Sequence, residues 1–198
     1  MIAKKPALGP LSRHRLIVLD RDGVINHDSP DYIKSPDEWT AIPGSLEAIA
    51  RMNRAGYRAV VATNQSGLGR GLYDAATLNA IHAKFKAELA KAGGTVDGIF
   101  ICPHAPDEGC ACRKPLPGLY HTIARRFDID LAGVPSVGDS GRDLEAAYAA
   151  GCQPWLVLSG NGPSTLAQGK VPPGTVVWDS LMAVAEALEG HGENEDNG

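Results

Sequence analysis

Two short runs without a polar interruption, Leu16–Leu19 (LIVL) and residues 59–62 (AVVA), constrain this chain more than any other feature. A strand covered on one face alternates apolar and polar residues, whereas an unbroken run belongs in a sheet buried on both faces. Between the two runs, Leu46, Ile49, Ala50 and Met52 fall near helical spacing, and Gly56 supplies a stop. Beyond them, Asp74 is placed to cap a helix with an apolar stripe of Leu78, Ile81, Phe85 and Leu89, ended by Gly93-Gly94. Further strands are expected at residues 99–101, 135–138, 155–158 and 176–178. Further helices are expected at 118–127, 142–150 and 180–188.

Strands alternating with helices imply an α/β fold, a doubly wound parallel sheet of Rossmann-like type with right-handed crossovers. Ligands of such sheets bind outside the carboxyl ends of the strands. No linker divides the chain, and 198 residues with 43% apolar side chains suffice for one core. The expected domain covers residues 15–189, between a flexible leader (1–14) and a Gly/Glu/Asn/Asp-rich disordered tail (190–198). Residues 1–15 carry Lys4, Lys5, Arg13 and Arg15 but lack the apolar stretch of a secretory signal, and no run is long enough to span a membrane. A formal charge of −4 leaves no basic footprint for nucleic acid. Of four cysteines, three fall within residues 102–112, which points to a reducing cytoplasm and a local metal clip rather than a disulfide scaffold.

Polar residues follow each strand. Asp20-Arg21-Asp22-Gly23 follows the first, Thr63-Asn64-Gln65-Ser66-Gly67 the second, and Gly138-Asp139-Ser140-Gly141-Arg142-Asp143 the fourth, while Lys114 follows the loop after the third. Any one of these sets could be a cap or turn; together they converge on one sheet edge. Asp20, Asp22 and Asp139 would repel one another there unless a cation sat among them, and Mg²⁺ prefers oxygen ligands and bridges to phosphate. With the phosphate charge neutralised by the metal and Lys114, a carboxylate can attack phosphorus in line. Asp22 can then give a proton to the leaving oxygen and activate water, and its backbone carbonyl is a natural extra metal ligand.

DRDGVIN, TNQSG, RKP and GDSGRD, in this order across most of the chain, resemble the four motifs of the haloacid dehalogenase-like phosphatases. The resemblance implies Asp20 as nucleophile, Asp22 as acid/base, and Thr63 and Lys114 as phosphate ligands. It places Asp139 at the magnesium with Asp20 and Asp22, and makes Asp143 a supporting acid for the metal shell or Lys114.

Cys102, His104, Cys110 and Cys112 make C-x-H followed by C-x-C. Three thiolates and an imidazole complete a tetrahedral zinc shell, with no position open for catalysis. Zinc is therefore expected to be structural, clamping the loop at 102–112 that runs into Arg113-Lys114.

Within the superfamily, this loop and the absence of a large cap domain resemble two groups, the heptose-bisphosphate phosphatases of cytoplasmic lipopolysaccharide-precursor (ADP-heptose) synthesis and the histidinol-phosphatases. DGVIN and TNQSGLGRG are closer to the first; the short spacing between the two zinc half-sites is closer to the second. A bisphosphate needs a second anion site, for which Arg70 and Arg113 are available. Histidinol phosphate has a cationic end that arginine would repel. By resemblance, Asp28, Asp31, Asn64, Gln65 and Ser66 also line the substrate site. The expected partner is a small phosphorylated sugar, with no nucleic acid or membrane, and the protein is expected to be a monomer. A non-catalytic, zinc-stabilised interaction module would require the loss of Asp20, Asp22, Lys114 or Asp139, and all are present. His82 and His121 are expected at surface or boundary positions of helices. Trp39, Trp155, Trp178 and Cys152 are expected in or beside the core.

Overall fold

The computed structural model describes residues 11–169 and 171–195, with side chains through residue 190. Six strands, β1 (Leu16–Leu19), β2 (Arg58–Asn64), β3 (Gly98–Cys102), β4 (Pro135–Gly138), β5 (Gln153–Val157) and β6 (Val176–Trp178), form one sheet in the order β3-β2-β1-β4-β5-β6. Every neighbouring pair is parallel. The helices are α1 (Ser45–Arg54), α2 (Ser66–Gly69), α3 (Ala75–Lys91), α4 (Gly118–Phe127), α5 (Gly141–Ala149), α6 (Gly162–Gln168) and α7 (Leu181–Glu195).

The unbroken apolar runs divide by strand periodicity. Ile17, Leu19, Ala59 and Val61 enter one core with Ile49, Phe85 and Val184 from α1, α3 and α7. Leu16, Val18, Val60 and Ala62 enter the other with Ile123 and Ala146 from α4 and α5. Asp74 caps α3 by accepting from the Thr77 amide at 2.7 Å. Trp39, Trp155, Trp178 and Cys152 are buried as expected.

The differences are local. The four-residue α2 and seven-residue α6 went unforeseen because neither is long enough to show an apolar period. His82 is buried, a correction explained below. Within the expected leader, Leu11 packs on the larger core and the Ser12 amide donates to Gly133 O at 3.0 Å, while residues 1–10 lie outside the described residues. The expected disordered tail is also corrected in part, since α7 continues to Glu195. Gly190 costs about 1 kcal/mol of helix propensity but is no barrier when no proline follows, and Arg51 of α1 anchors the helix just before it by pairing with Glu186 and Glu189. Residues 196–198 lie outside the described residues. No helix among the described residues is long and apolar enough to cross a membrane.

Candidate active site

The strand order reverses at β1 and β4: the chain proceeds from β1 outward to β3, then returns to place β4 on the other side of β1. Such a reversal opens a crevice at the carboxyl ends of the two strands. Asp20 and Asp139 are the first residues beyond them, and the Asp20 amide prolongs the ladder by donating to Val137 O at 2.9 Å. A cavity of about 210 Å³ lies there, lined by Asp20, Asp22, Thr63, Lys114, Asp139 and Asp143 among others.

Lys114 is its electrostatic centre. Its Nζ lies 2.8 Å from Asp20 Oδ1, pairs with Asp143 and donates to Ala62 O at 2.9 Å. Burial works against the ammonium, but Asp143 and Asp20 outweigh it and hold the Lys114 pKa above its ordinary value. Burial likewise opposes the Asp143 carboxylate, but Lys114 prevails and lowers its pKa. Asp143 also completes a capping box with Ser140 at the start of α5. Asp20 is different: burial, then Asp143, push its carboxyl up to about 8, and Lys114 only partly offsets them. Its buried Oδ1, although close to Lys114, has no hydrogen-bond donor in good geometry.

Asp139 is held from outside the four motifs. The loop after β5 gives Asp139 Oδ2 two donors, the Asn161 amide at 2.7 Å and Asn161 Nδ2 at 3.1 Å. Thr165 Oγ1 donates to Asp139 O at 2.8 Å, and Ser159 Oγ ties the same loop to Gly23 O at 2.6 Å. The approach demands glycine: a Cβ on Gly23 (φ +83) would lie 2.0 Å from Asp139 Oδ2, and one on Gly160 (φ +53) 2.2 Å. Burial, followed by the Asp143 charge, pushes Asp139 to about 6.

Asp20, Asp139 and Asp143 each offer an oxygen, all within 4.8 Å of one another. Three carboxylates around one ammonium fit a hard divalent cation, which would relieve the repulsion that raises the Asp20 and Asp139 pKa values. Of the expected metal residues, Asp20 and Asp139 belong to this set, and for Asp22 the sequence offered the backbone carbonyl as well as the carboxylate. The Asp22 carboxylate is occupied by Arg21, Asn26 Nδ2 (2.8 Å) and Gln65 Nε2 (2.9 Å), which leaves its backbone carbonyl as the available ligand.

Arg21 is the residue that sequence reasoning missed. It is 1% exposed, forks onto Asp22, and directs Nη1 at His82 Nε2, 3.3 Å away. Nothing in the sequence marks an arginine between two motif acids as buried; its contact with His82 of α3 appears only in the fold. The same contact explains the burial of His82, whose pKa falls to about 4 through burial and then the Arg21 charge.

Of the expected substrate residues, Asp28, Asn64, Gln65, Ser66 and Arg113 line the cavity, whereas Asp31 and Arg70 are exposed and do not. The amides of Asn64 and Gln65 are committed within the protein. Asn64 exchanges two 3.1 Å bonds with the Lys114 backbone, and Gln65 bonds Asp22 and Thr63 while accepting from the Tyr73 hydroxyl. Their part is to hold other groups in place. Arg113 Nη1 reaches His104 O at 3.4 Å. Tyr32, Tyr73 and Arg142 complete much of the wall.

The Cys102, His104, Cys110 and Cys112 ligand atoms cluster within 4.8 Å. Cys112 Sγ lies 3.3 Å from both Cys102 Sγ and His104 Nδ1, and Cys110 Sγ lies 3.6 Å from both other sulfurs. A tetrahedron with metal–sulfur bonds of about 2.3 Å has edges of about 3.8 Å, so the donor set fits a closed four-coordinate metal. Burial, followed by hydrogen bonding to Cys112, pushes the Cys102 thiol up to about 12, and a soft cation would reverse this.

A HAD-hydrolase-like family pattern matches residues 111–184. The chain is 67% identical over 174 residues to the D-glycero-beta-D-manno-heptose-1,7-bisphosphate 7-phosphatase of Bordetella bronchiseptica, covering 88% of this chain and 97% of that protein. It is 55% identical to the enzyme of the same name from Pseudomonas aeruginosa, covering 87% and 97%. A crystal structure of D,D-heptose 1,7-bisphosphate phosphatase from B. bronchiseptica, complexed with magnesium and phosphate, superposes with a TM-score of 0.88 at 66% identity, covering 89% of this chain and 98% of that one. This chain therefore belongs to the HAD-like hydrolases, within the family of the D-glycero-beta-D-manno-heptose-1,7-bisphosphate 7-phosphatases.

Proposed function

We propose that this protein is a magnesium-dependent phosphatase that removes the 7-phosphate of D-glycero-D-manno-heptose 1,7-bisphosphate through an aspartyl-phosphate on Asp20. The observation that carries the reading is the convergence of Asp20, Lys114 and Asp139 at the strand-order reversal, in a chain 67% identical to an enzyme named for that reaction. The relatives' name specifies the β anomer, and the proposal follows it.

Asp20, Asp139 and the Asp22 carbonyl would hold magnesium, with Asp143 adjoining; bound, the ion supplies positive charge to the phosphate oxygens. Lys114 and the Thr63 hydroxyl hold the phosphoryl group in line with Asp20. The Asp20 carboxylate forms a bond to phosphorus as the ester P–O bond breaks, and Asp22 gives its proton to the departing sugar oxygen. Water then attacks phosphorus, passes a proton to Asp22 and frees Asp20 with release of inorganic phosphate. Arg113, on the cavity wall, would take the second phosphate. Zinc at Cys102, His104, Cys110 and Cys112 would act structurally, by fixing the loop that presents Arg113 and Lys114. The reading extends to a monomer in the cytoplasm that acts on a small phosphorylated sugar without nucleic acid or membrane.

Phosphate release with Mg²⁺ from heptose 1,7-bisphosphate and from histidinol phosphate, under identical conditions, tests the assignment. Strong preference for the bisphosphate with one phosphate released per molecule is expected; preference for histidinol phosphate would overturn the sugar reading.

A further inference from the structure

We propose that His82, acting through Arg21, positions Asp22 to protonate the leaving oxygen; this rests on the reading of Asp22 as the acid. Arg21 is enclosed, its side chain 2% exposed, while that of Asp22 is 21% exposed and faces the cavity. The two form a buried stem with a reactive tip. Arg21 Nε and Nη2 lie 3.0 and 2.9 Å from Asp22 Oδ1, and Nη2 lies 3.0 Å from Oδ2. A guanidinium is donor-only with five N–H groups, so a buried one needs acceptors on more than one side. Asp22 serves one edge. His82 Nε2, on α3 and 61 residues along the chain, serves Nη1 at 3.3 Å.

The contact defines the state of the histidine. Arginine must donate, so Nε2 accepts and the ring proton sits on Nδ1. A pKa of about 4 keeps the ring neutral, and thus an acceptor, across the physiological range. With both edges bound, the guanidinium plane is fixed, and with it the carboxylate on which it forks. Asn26 and Gln65, the latter held by Tyr73, set the remaining faces of that carboxylate. Without His82 a buried N–H would lack a partner and the fork would be free to turn.

A positioning role in proton donation makes a prediction that a merely structural role does not. A sugar alkoxide needs a proton as it leaves, whereas 4-nitrophenolate is stable without one. The measurement is kcat/KM, which ends at departure of the leaving group and so excludes the later use of Asp22 as base. His82→Phe is expected to lower kcat/KM on heptose 1,7-bisphosphate about tenfold, a fraction of the 10²–10⁴ typical of general acids, with a change below about twofold on 4-nitrophenyl phosphate. His82→Gln, whose amide oxygen can accept from Arg21, is expected to recover most of the loss, and it carries the test if the phenylalanine variant fails to fold. Equal losses on both esters, no loss on either, or a His82→Gln enzyme as impaired as His82→Phe on the sugar ester would overturn the proposal. Asp22→Asn separates the two levels: it should lose most on the sugar ester, and equal losses there would sink the acid assignment itself.

Discussion

Freed of magnesium but retaining zinc, the protein should lose stability between pH 6.5 and 8, and magnesium should abolish that loss. Asp20 holds its proton up to about pH 8 in the folded chain, against an ordinary 3.8, because burial and then the Asp143 charge disfavour the carboxylate. The folded state therefore binds more protons than the unfolded one, and this contribution to stability declines as pH rises from 3.8 towards 8. Asp139, pushed to about 6, acts in the same direction below that pH. His82 acts oppositely: its folded value of about 4 lies below its ordinary 6.5, so stability rises with pH across that interval. Asp143, lowered, and Lys114, raised above 10.5, contribute fully throughout the range. The opposing contributions overlap up to pH 6.5 and leave Asp20 dominant above it. At about 1.4 kcal/mol per pH unit for one proton, the loss to pH 8 is about 2 kcal/mol. In a domain of this size that lowers Tm by about 4–8 °C. Thermal melts at half-unit pH steps, with and without saturating Mg²⁺, measure the effect. Calorimetric titration at pH 7 in buffers of different ionisation enthalpy should show about one proton released per magnesium bound. A flat metal-free Tm over this range, together with no proton release, would refute the raised Asp20 value.

Asn161→Ala removes one of the two donors on Asp139 Oδ2. It should weaken Mg²⁺ binding about tenfold, the low end for partners that orient a ligand, with kcat at saturating Mg²⁺ nearly unchanged; unaltered calorimetric affinity would count against the role of the β5–α6 loop. Cys110→Ala opens the four-ligand cluster. Zinc content should fall, with Tm down by about 5–10 °C from a loss of a few kcal/mol and activity declining secondarily; an unchanged Tm with no zinc bound would end the case for a structural clip.

The sequence by itself determined the sheet and the edge at which chemistry occurs. LIVL and AVVA must be covered on both faces, a local property of composition, and the charged residues after each strand have one edge on which to gather. The Cys/His set was legible for the same reason, since four metal ligands in an eleven-residue loop meet with little help from the rest of the fold. Tertiary structure alone decided the partnerships between distant elements. Arg21 is buried in the fold, and His82, 61 residues along the chain, comes within reach of it only through packing. The grip of Asn161 on Asp139 spans two loops that meet because β4 and β5 are neighbours. Sequence polarity placed Asn64 and Gln65 at the site, but a side-chain amide bonds ligand or protein equally well, and the direction in which each points follows from the position of Lys114 and Asp22 in space. Asp31 and Arg70 lie outside the cavity lining, because nearness along the chain to a motif does not by itself aim a side chain into the cavity.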